Sequence, residues 1–192
     1  LGLNRGPKIA VLYITGLINT GRSGYDPLNG PVAGSDTLVQ YIRQIRADTS
    51  IKAIVLRIDS PGGSSVASDV IWRELALTRD QKPERPIVAS MSDLAASGGY
   101  YVAMAAPQVV AQPATLTGSI GIYGGKVVTG GVFNKLGMTI DHVQDGKNAD
   151  MWAAVAPFSP AERAKLEEQL QAFYDQFVEK VAEARHTTPE KI

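Results

Sequence analysis

The sequence alternates between short apolar segments rich in β-branched residues and segments whose apolar side chains recur every three or four positions. The first pattern predicts buried strands and the second predicts amphipathic helices. Predicted strands cover residues 8–18, 51–58, 86–91 and 108–111, with a further strand near 139–143. Predicted helices begin at Ser35 or Asp36, at Val66 and directly after Ser97. This alternation favours an α/β fold with a mainly parallel sheet.

Two further segments have distinct local signals. Residues 20–34 contain four glycines and two prolines without any period, so we expect a surface loop there. Residues 159–162 read Ser-Pro-Ala-Glu, which fits a capping box with proline at the first helical position. The helix that it starts is expected to run for about 25 residues. Its apolar stripe consists of Leu166, Leu170, Phe173, Phe177 and Val181.

The composition excludes several classes of function. Lysine plus arginine and aspartate plus glutamate both number 19, so there is no net charge to attract nucleic acid, and we expect no nucleic-acid partner. Cysteine is absent and only two histidines occur, so we expect no metal site and no cofactor. The longest apolar stretch, residues 9–18, is far shorter than the ~20 residues that span a bilayer.

The length of 192 residues fits one domain, and we expect residues 1–192 to form it. Thr188-Pro189-Glu190 has the pattern of an N-cap followed by a first-turn proline. Because that pattern predicts a further helix, we expect the sequence to be part of a longer polypeptide.

Two glycine-rich corners lie where a predicted strand passes into a predicted helix, which is where α/β folds build their sites. In residues 60–63, the paired glycines allow the backbone to approach a ligand closely and to turn free N–H groups toward it. A plain tight turn has the same pattern. In residues 95–101, the hydroxyl of Ser97 is either a nucleophile or a helix N-cap. The presence of both corners favours the nucleophile, because the oxyanion formed by its attack needs donors from elsewhere.

A serine nucleophile also needs a base. A Ser-His-Asp arrangement would use His142 or His186, yet a lone histidine is more typical of an exposed residue. The alternative base is a lysine, whose pKa of about 10.4 must fall to about 7 or 8. Only burial in a site that excludes water lowers the pKa of a lysine that far.

Three motifs, in this order, resemble the signal peptide peptidase A family, bacterial proteases of the Clp-protease and crotonase-like fold. The motifs are Asp59-Ser60-Pro61-Gly62-Gly63-Ser64, Ala95-Ala96-Ser97-Gly98-Gly99-Tyr100-Tyr101 and Leu116-Thr117-Gly118-Ser119-Ile120-Gly121. The resemblance extends from residue 8 to residue 190, so it covers nearly the whole chain.

The resemblance implies a single serine endopeptidase domain with a serine-lysine dyad. It implies that Ser97 is the nucleophile, that Gly63 and Gly98 supply the oxyanion N–H groups, and that Ser119 orients the base lysine. It further implies a homo-oligomer that degrades remnant signal peptides, anchored in the cytoplasmic membrane with its catalytic domain on the extracytoplasmic side. From the small residues around Ser97 and the stripe of the long helix, we expect apolar peptide substrates and a homo-oligomer.

The catalytic lysine is where the sequence departs from the family. Short-form members carry it in a Gly-x-x-Lys-Asp-like stretch, which here reads Asp145-Gly146-Lys147-Asn148-Ala149-Asp150, with Ala149 in the lysine position. The chain is the C-terminal half of a double-length member whose other half supplies the lysine, or Lys147 substitutes, or the lysine was mutated to alanine. Residues 148–151 and the closing residues 184–190 favour the first explanation, because both segments resemble the C-terminal half of the long form. Lys126 and Lys135 are expected to be ordinary surface lysines.

The sequence is compatible with three other functions. One is a Clp-like protease of the same fold that uses His142 as its base. Another is a crotonase-type acyl-CoA enzyme, which would be expected to lack Ser97. The third is a non-catalytic half that serves only to build the oligomer, although such a half has no need for Ser97 between Ala96 and Gly98.

Overall fold

The computed structural model describes residues 6–192, which form two compact units. The first unit comprises residues up to Gly121 together with Gln176–Ile192, and the second comprises Ile122–Asp175.

All strands lie in the first unit as far as the chain is described. They are β1 (Lys8–Thr15), β2 (Leu17–Asn19), β3 (Gly24–Asp26), β4 (Gly30–Gly34), β5 (Ile51–Ser60), β6 (Ile87–Ala96), β7 (Gln108–Val110) and β8 (Leu116–Gly118). The main sheet has the order β1-β5-β6-β7, with β8 pairing the end of β6, and every pair in it is parallel. The expected α/β fold with a mainly parallel sheet is therefore confirmed.

The helices follow the strands as the sequence pattern predicts. They are α1 (Ser35–Ala47), α2 (Ser65–Gln81), α3 (Gly98–Ala103), α4 (Gly130–Lys135) and α5 (Pro160–Ala184), with a 3-10 turn at Pro189–Lys191. Within the described residues, the first unit has an apolar core between the main sheet and its helices. Its largest fully buried side chains are Ile14, Ile18, Ile42, Ile54, Leu56, Ile58, Ile71, Leu75, Tyr101, Val102, Phe177 and Val181.

The first strand differs from its prediction as a buried strand over residues 8–18. It ends at Thr15, because Gly16 has a φ of +83° that turns the chain into β2. β1 is also an edge strand of the main sheet. Leu12 is buried whereas Tyr13 is 65% exposed, so only one face of β1 packs on the core.

Residues 20–34 are not the plain loop that their glycines and prolines predict. They contain β3 and β4, and β4 pairs in parallel with β2 and antiparallel with β3. One of the two partners of β4, the strand β2, lies outside the segment, so the segment taken alone does not show this pairing.

The strand expected near residues 139–143 is absent from the structure, and this prediction is wrong. Ile140 and Val143 are exposed, and no described strand pairs with the segment. The β-branched pattern alone does not make a strand, because a strand needs a neighbouring backbone for its hydrogen bonds.

The capping box at the start of α5 is confirmed. The Ser159 amide donates to Glu162 Oε2 at 2.7 Å, and the Glu162 amide donates to Ser159 Oγ at 3.3 Å. The helix spans 25 residues, as its period predicts. None of the described helices combines the length and the low polarity needed to cross a bilayer.

Candidate active site

The first glycine corner joins β5 to α2. Gly62 and Gly63 have φ angles of +96° and +147°, conformations that side-chain-bearing residues rarely adopt. The buried hydroxyl of Ser60 holds the turn, since it donates to the Gly16 carbonyl at 2.6 Å and accepts from the Gly62 amide at 3.1 Å. The Gly63 amide has no acceptor among the described residues, so it is free to donate to a ligand.

The second corner joins β6 to α3 and carries Ser97 at its apex. Ser97 has φ 50° and ψ −119°, a sparsely populated conformation for a residue other than glycine. Such strain is concentrated at functional sites, and serine nucleophiles often occupy a sharp strand-to-helix turn that exposes the hydroxyl.

The structure distinguishes between the two roles considered for Ser97. It occupies the N-cap position of α3, but its side chain makes no capping hydrogen bond. Its hydroxyl bonds to no described residue, and Ser97 is half-buried. Because N-cap serines stabilise helices through that side-chain bond, capping does not explain this serine.

The two corners are in direct contact. A Cβ atom on Gly62 would lie 2.5 Å from the amide nitrogen of Gly98 and 2.8 Å from Cβ of Ser97. A Cβ atom on Gly98 would lie 3.3 Å from the amide nitrogen of Gly63. The Gly98 amide, like that of Gly63, has no acceptor among the described residues. Two free N–H groups therefore lie beside one free serine hydroxyl.

The third motif adjoins the same corner. The Ser97 amide donates to the Gly118 carbonyl at 2.8 Å, and Ala96 pairs with Gly118 across β6 and β8. Ser119 follows directly, is exposed, and has a φ of 53°. The three motifs, which are separated by 30 and by 14 residues in the sequence, thus meet around Ser97.

The candidate histidines have other surroundings. His142 belongs to the second unit, is about half exposed, and its Nε2 lies 3.2 Å from Asp150 Oδ2. His186 follows the end of α5 with a φ of 52° and is exposed.

The candidate lysines differ from one another. Lys147 lies in the second unit and is exposed, and Lys135 is exposed on α4, as expected. Lys126 is not an ordinary surface lysine, because its half-buried Nζ donates to the carbonyls of Met151 and Ala153 at 2.7 and 2.9 Å. These two hydrogen bonds join Lys126 to residues 151–153 of the second unit. No lysine among the described residues of the first unit donates to the Ser97 hydroxyl.

The chemistry that the corner allows is nucleophilic attack followed by stabilisation of an oxyanion. Both N–H groups sit at the starts of helices that follow a strand, and the 17-residue α2 adds the positive end of its dipole. Donors fixed in place before the reaction stabilise developing negative charge most effectively.

Comparison with known proteins identifies the family of the chain. A family model described as peptidase family S49 matches residues 79–192, more than half of the chain. The chain belongs to this family.

Curated relatives extend the S49 similarity over the whole sequence. The chain is 38% identical to Serine protease SPPA, chloroplastic, from Arabidopsis thaliana over 100% of its own length and 28% of that protein. It is 41% identical to Protease 4 from Salmonella typhi, covering 97% of the chain and 29% of that protein. A protein from Enterococcus faecium whose name carries the words signal peptide peptidase SppA is 31% identical, covering 93% and 51%. The chain thus spans between a quarter and about half of these relatives.

A solved structure confirms the fold. A ClpP1 mutant from Listeria monocytogenes matches with a TM-score of 0.50 at 13% identity, covering 94% of this chain and 75% of that one. The S49 chain therefore has the Clp-protease fold that the motif order implied.

Proposed function

We propose that this chain is the nucleophile-bearing domain of a serine endopeptidase that degrades remnant signal peptides. The observation that supports the proposal most strongly is the contact between the two corners, which puts the unbonded hydroxyl of Ser97 beside the free amides of Gly63 and Gly98. Membership of peptidase family S49 supports peptide bonds as the target.

In the proposed reaction, Ser97 Oγ attacks the carbonyl carbon of a peptide bond while its proton passes to a base. The carbonyl oxygen becomes an oxyanion that accepts hydrogen bonds from the amides of Gly63 and Gly98. The base then returns the proton to the leaving amine as the C–N bond breaks, which leaves an acyl-serine. A water molecule then attacks the acyl carbon while the base takes a proton from it, the C–O bond to Ser97 breaks, and the base returns the proton to Ser97 Oγ.

The base is proposed to be a lysine from another domain or protomer, with Ser119 orienting it. Ala149 in the usual lysine position supports this source, as does the exposure of Lys147, because a lysine base needs burial to lose its proton near neutral pH. Lys147 remains the candidate if the chain is self-sufficient.

The substrate preference and the homo-oligomer are also proposals, but the structure removes the sequence arguments for them. Ala95 and Ala96 are buried, so they form no cleft surface, and the preference for apolar signal-peptide remnants rests on the resemblance and on one relative's name. Phe177 and Val181 are buried within the chain, so the stripe of α5 does not call for a neighbour. The homo-oligomer and the cytoplasmic-membrane location, with the domain on the extracytoplasmic side, likewise rest on the resemblance.

Replacement of Ser97 by alanine in the full-length protein tests the proposal. Peptide hydrolysis should fall to background while the melting temperature stays close to that of the parent. Retained hydrolysis would instead assign the chain to the non-catalytic alternative, a half that only builds the assembly and leaves catalysis to another domain.

A further inference from the structure

The helix that carries the nucleophile is too short to be stable by itself. α3 has six residues, whereas isolated helices shorter than about 12 residues are marginal in water. Its first helical hydrogen bond runs from the Tyr101 amide to the Ser97 carbonyl at 2.8 Å. Whatever holds Tyr101 therefore also holds the backbone of the candidate nucleophile.

The Tyr101 side chain is anchored to α2. Its ring is 1% exposed, and its hydroxyl donates to Asp69 Oδ1 at 2.6 Å. Burial and the neighbouring Asp69 carboxylate raise the pKa of Tyr101, so the phenol keeps the proton that it donates. Asp69 belongs to the second turn of α2, the helix that begins just after Gly63.

Asp69 is in turn held by the last part of α5. Its Oδ1 also accepts from Gln176 Nε2 at 3.1 Å and lies 3.3 Å from Lys180 Nζ. Lys180 is only 15% exposed, with Nζ 3.2 Å from the ring centroid of Trp72. One carboxylate oxygen thus joins three helices of the first unit.

The position of this network gives it a consequence for the site. Gly63 precedes α2 and Gly98 begins α3, so the distance between their amides depends on how the two helices are held together. The bond between Tyr101 and Asp69 joins these helices three residues after Gly98 and six residues after Gly63, within two turns of each amide. We propose that Asp69, through Tyr101, is a positioning residue that sets the spacing of the two oxyanion donors around Ser97.

This inference rests on the proposed function, and its test uses two conservative variants of the full-length protein, Tyr101→Phe and Asp69→Asn. Tyr101→Phe keeps the ring packed but removes one hydrogen bond. We expect kcat to fall about tenfold for Tyr101→Phe and about 100-fold for Asp69→Asn, with KM within about twofold, because small displacements of preset donors are costly in the transition state.

Glu74→Gln is the matched control. Glu74 is another buried carboxylate of α2, but it pairs with Arg43 and Arg46 on α1, away from the corner. We expect Glu74→Gln to lower the stability of the fold without displacing the two amides, so its kcat should equal that of the parent. The inference is overturned if kcat follows the melting temperature in all three variants, or if Tyr101→Phe has the parent kcat.

A second readout needs no activity, so it separates this inference from the proposed function. Amide hydrogen exchange in the segments around Gly63 and Gly98 should accelerate in Asp69→Asn and Tyr101→Phe but not in Glu74→Gln. Unchanged exchange in both segments would overturn the positioning role even if Ser97 is the nucleophile. If the parent protein cleaves no peptide but exchange is still faster in Asp69→Asn and Tyr101→Phe, the network is supported and the proposed function is refuted.

Discussion

The amide of Ser97 donates a 2.8 Å hydrogen bond to the carbonyl of Gly118. This bond continues the pairing of β6 with β8 up to the apex of the second corner, which carries Ser97. On its other side, the corner is packed against Gly62. The unusual backbone of Ser97 is therefore held from two sides, which explains how a strained conformation persists in the folded chain.

Gly63→Ala should lower kcat strongly although Ser97 itself is unchanged. A Cβ atom at Gly63 would collide with the Ile18 backbone, and its φ of +147° disfavours any side chain. The amide must therefore move, and loss of one oxyanion donor costs about 10² to 10³ in kcat. Steady-state peptide hydrolysis measures the loss.

Gly24→Ala serves as the control for that substitution. Nothing lies within 4 Å of a Cβ atom at Gly24, which is in β3 of the same unit. Its kcat should match the parent. Equal losses in both variants would show that the effect of Gly63→Ala is a general one on folding.

Replacement of Ser97 by glycine should give a more stable protein than replacement by alanine. Both remove the hydroxyl, but only glycine adopts a φ of 50° without strain, which is worth about 1 kcal/mol in the free energy of unfolding. Denaturant titration of the two inactive variants checks the order.

The same pair of substitutions at Ser65 should give the opposite order. Ser65 is the first residue of α2, where alanine is favoured over glycine by up to about 1 kcal/mol. A glycine variant at Ser97 that is less stable than the alanine variant would refute the strain at the corner.

Glu74 should make stability depend on pH in acid. The hydrogen bond from Arg43, followed by that from Arg46, lowers the pKa of Glu74 below its usual 4.5. The stabilisation is therefore fully present above pH 4.5 and is lost as the pH falls through the lower pKa of the folded state. Glu74→Gln should lower the free energy of unfolding by about 2 kcal/mol at pH 7.

The difference between the parent and Glu74→Gln should shrink as the pH falls, as followed by urea unfolding. Glu167→Gln is the control, because the exposed pair of Arg163 and Glu167 contributes at most about 0.5 kcal/mol. If the difference in the free energy of unfolding between the parent and Glu74→Gln stays constant down to low pH, Glu74 does not stabilise the fold through its charge.

Lys147→Ala should change kcat of the full-length protein little, since Lys147 is exposed. A lone domain that lacks the base should be almost inactive, because it loses most of an acid-base contribution of about 10² to 10⁴. Addition of the remaining half in trans should restore turnover. If the 192-residue chain alone hydrolyses peptide esters and Lys147→Ala abolishes this, Lys147 is the base.

Elements set by near neighbours in the sequence were predictable. The capping box of Ser159 and Glu162 and the period of α5 give the helix its start and length. Elements that depend on distant partners were not. The segment of β4 carries no sign of its partner β2, which lies outside it, and the β-branched pattern of residues 139–143 predicts a strand for which no described partner exists.

The candidate site shows the same division. The glycines around residue 63 and residue 98 indicated sharp corners, and the order of the motifs indicated that they meet. The sequence carried no signal for the φ of Ser97, which its tertiary contacts impose. Nor did it indicate the bond between Asp69 and Tyr101, because these residues lie 32 positions apart.

The central claim is that Ser97 is the nucleophile of a peptidase. Its most direct test is reaction of the full-length protein with a fluorophosphonate probe, followed by peptide mass spectrometry. The expected result is one phosphonylated residue, Ser97, with no label on the Ser97→Ala variant. A label on a different residue, or no label on a preparation that cleaves peptides, would contradict the claim.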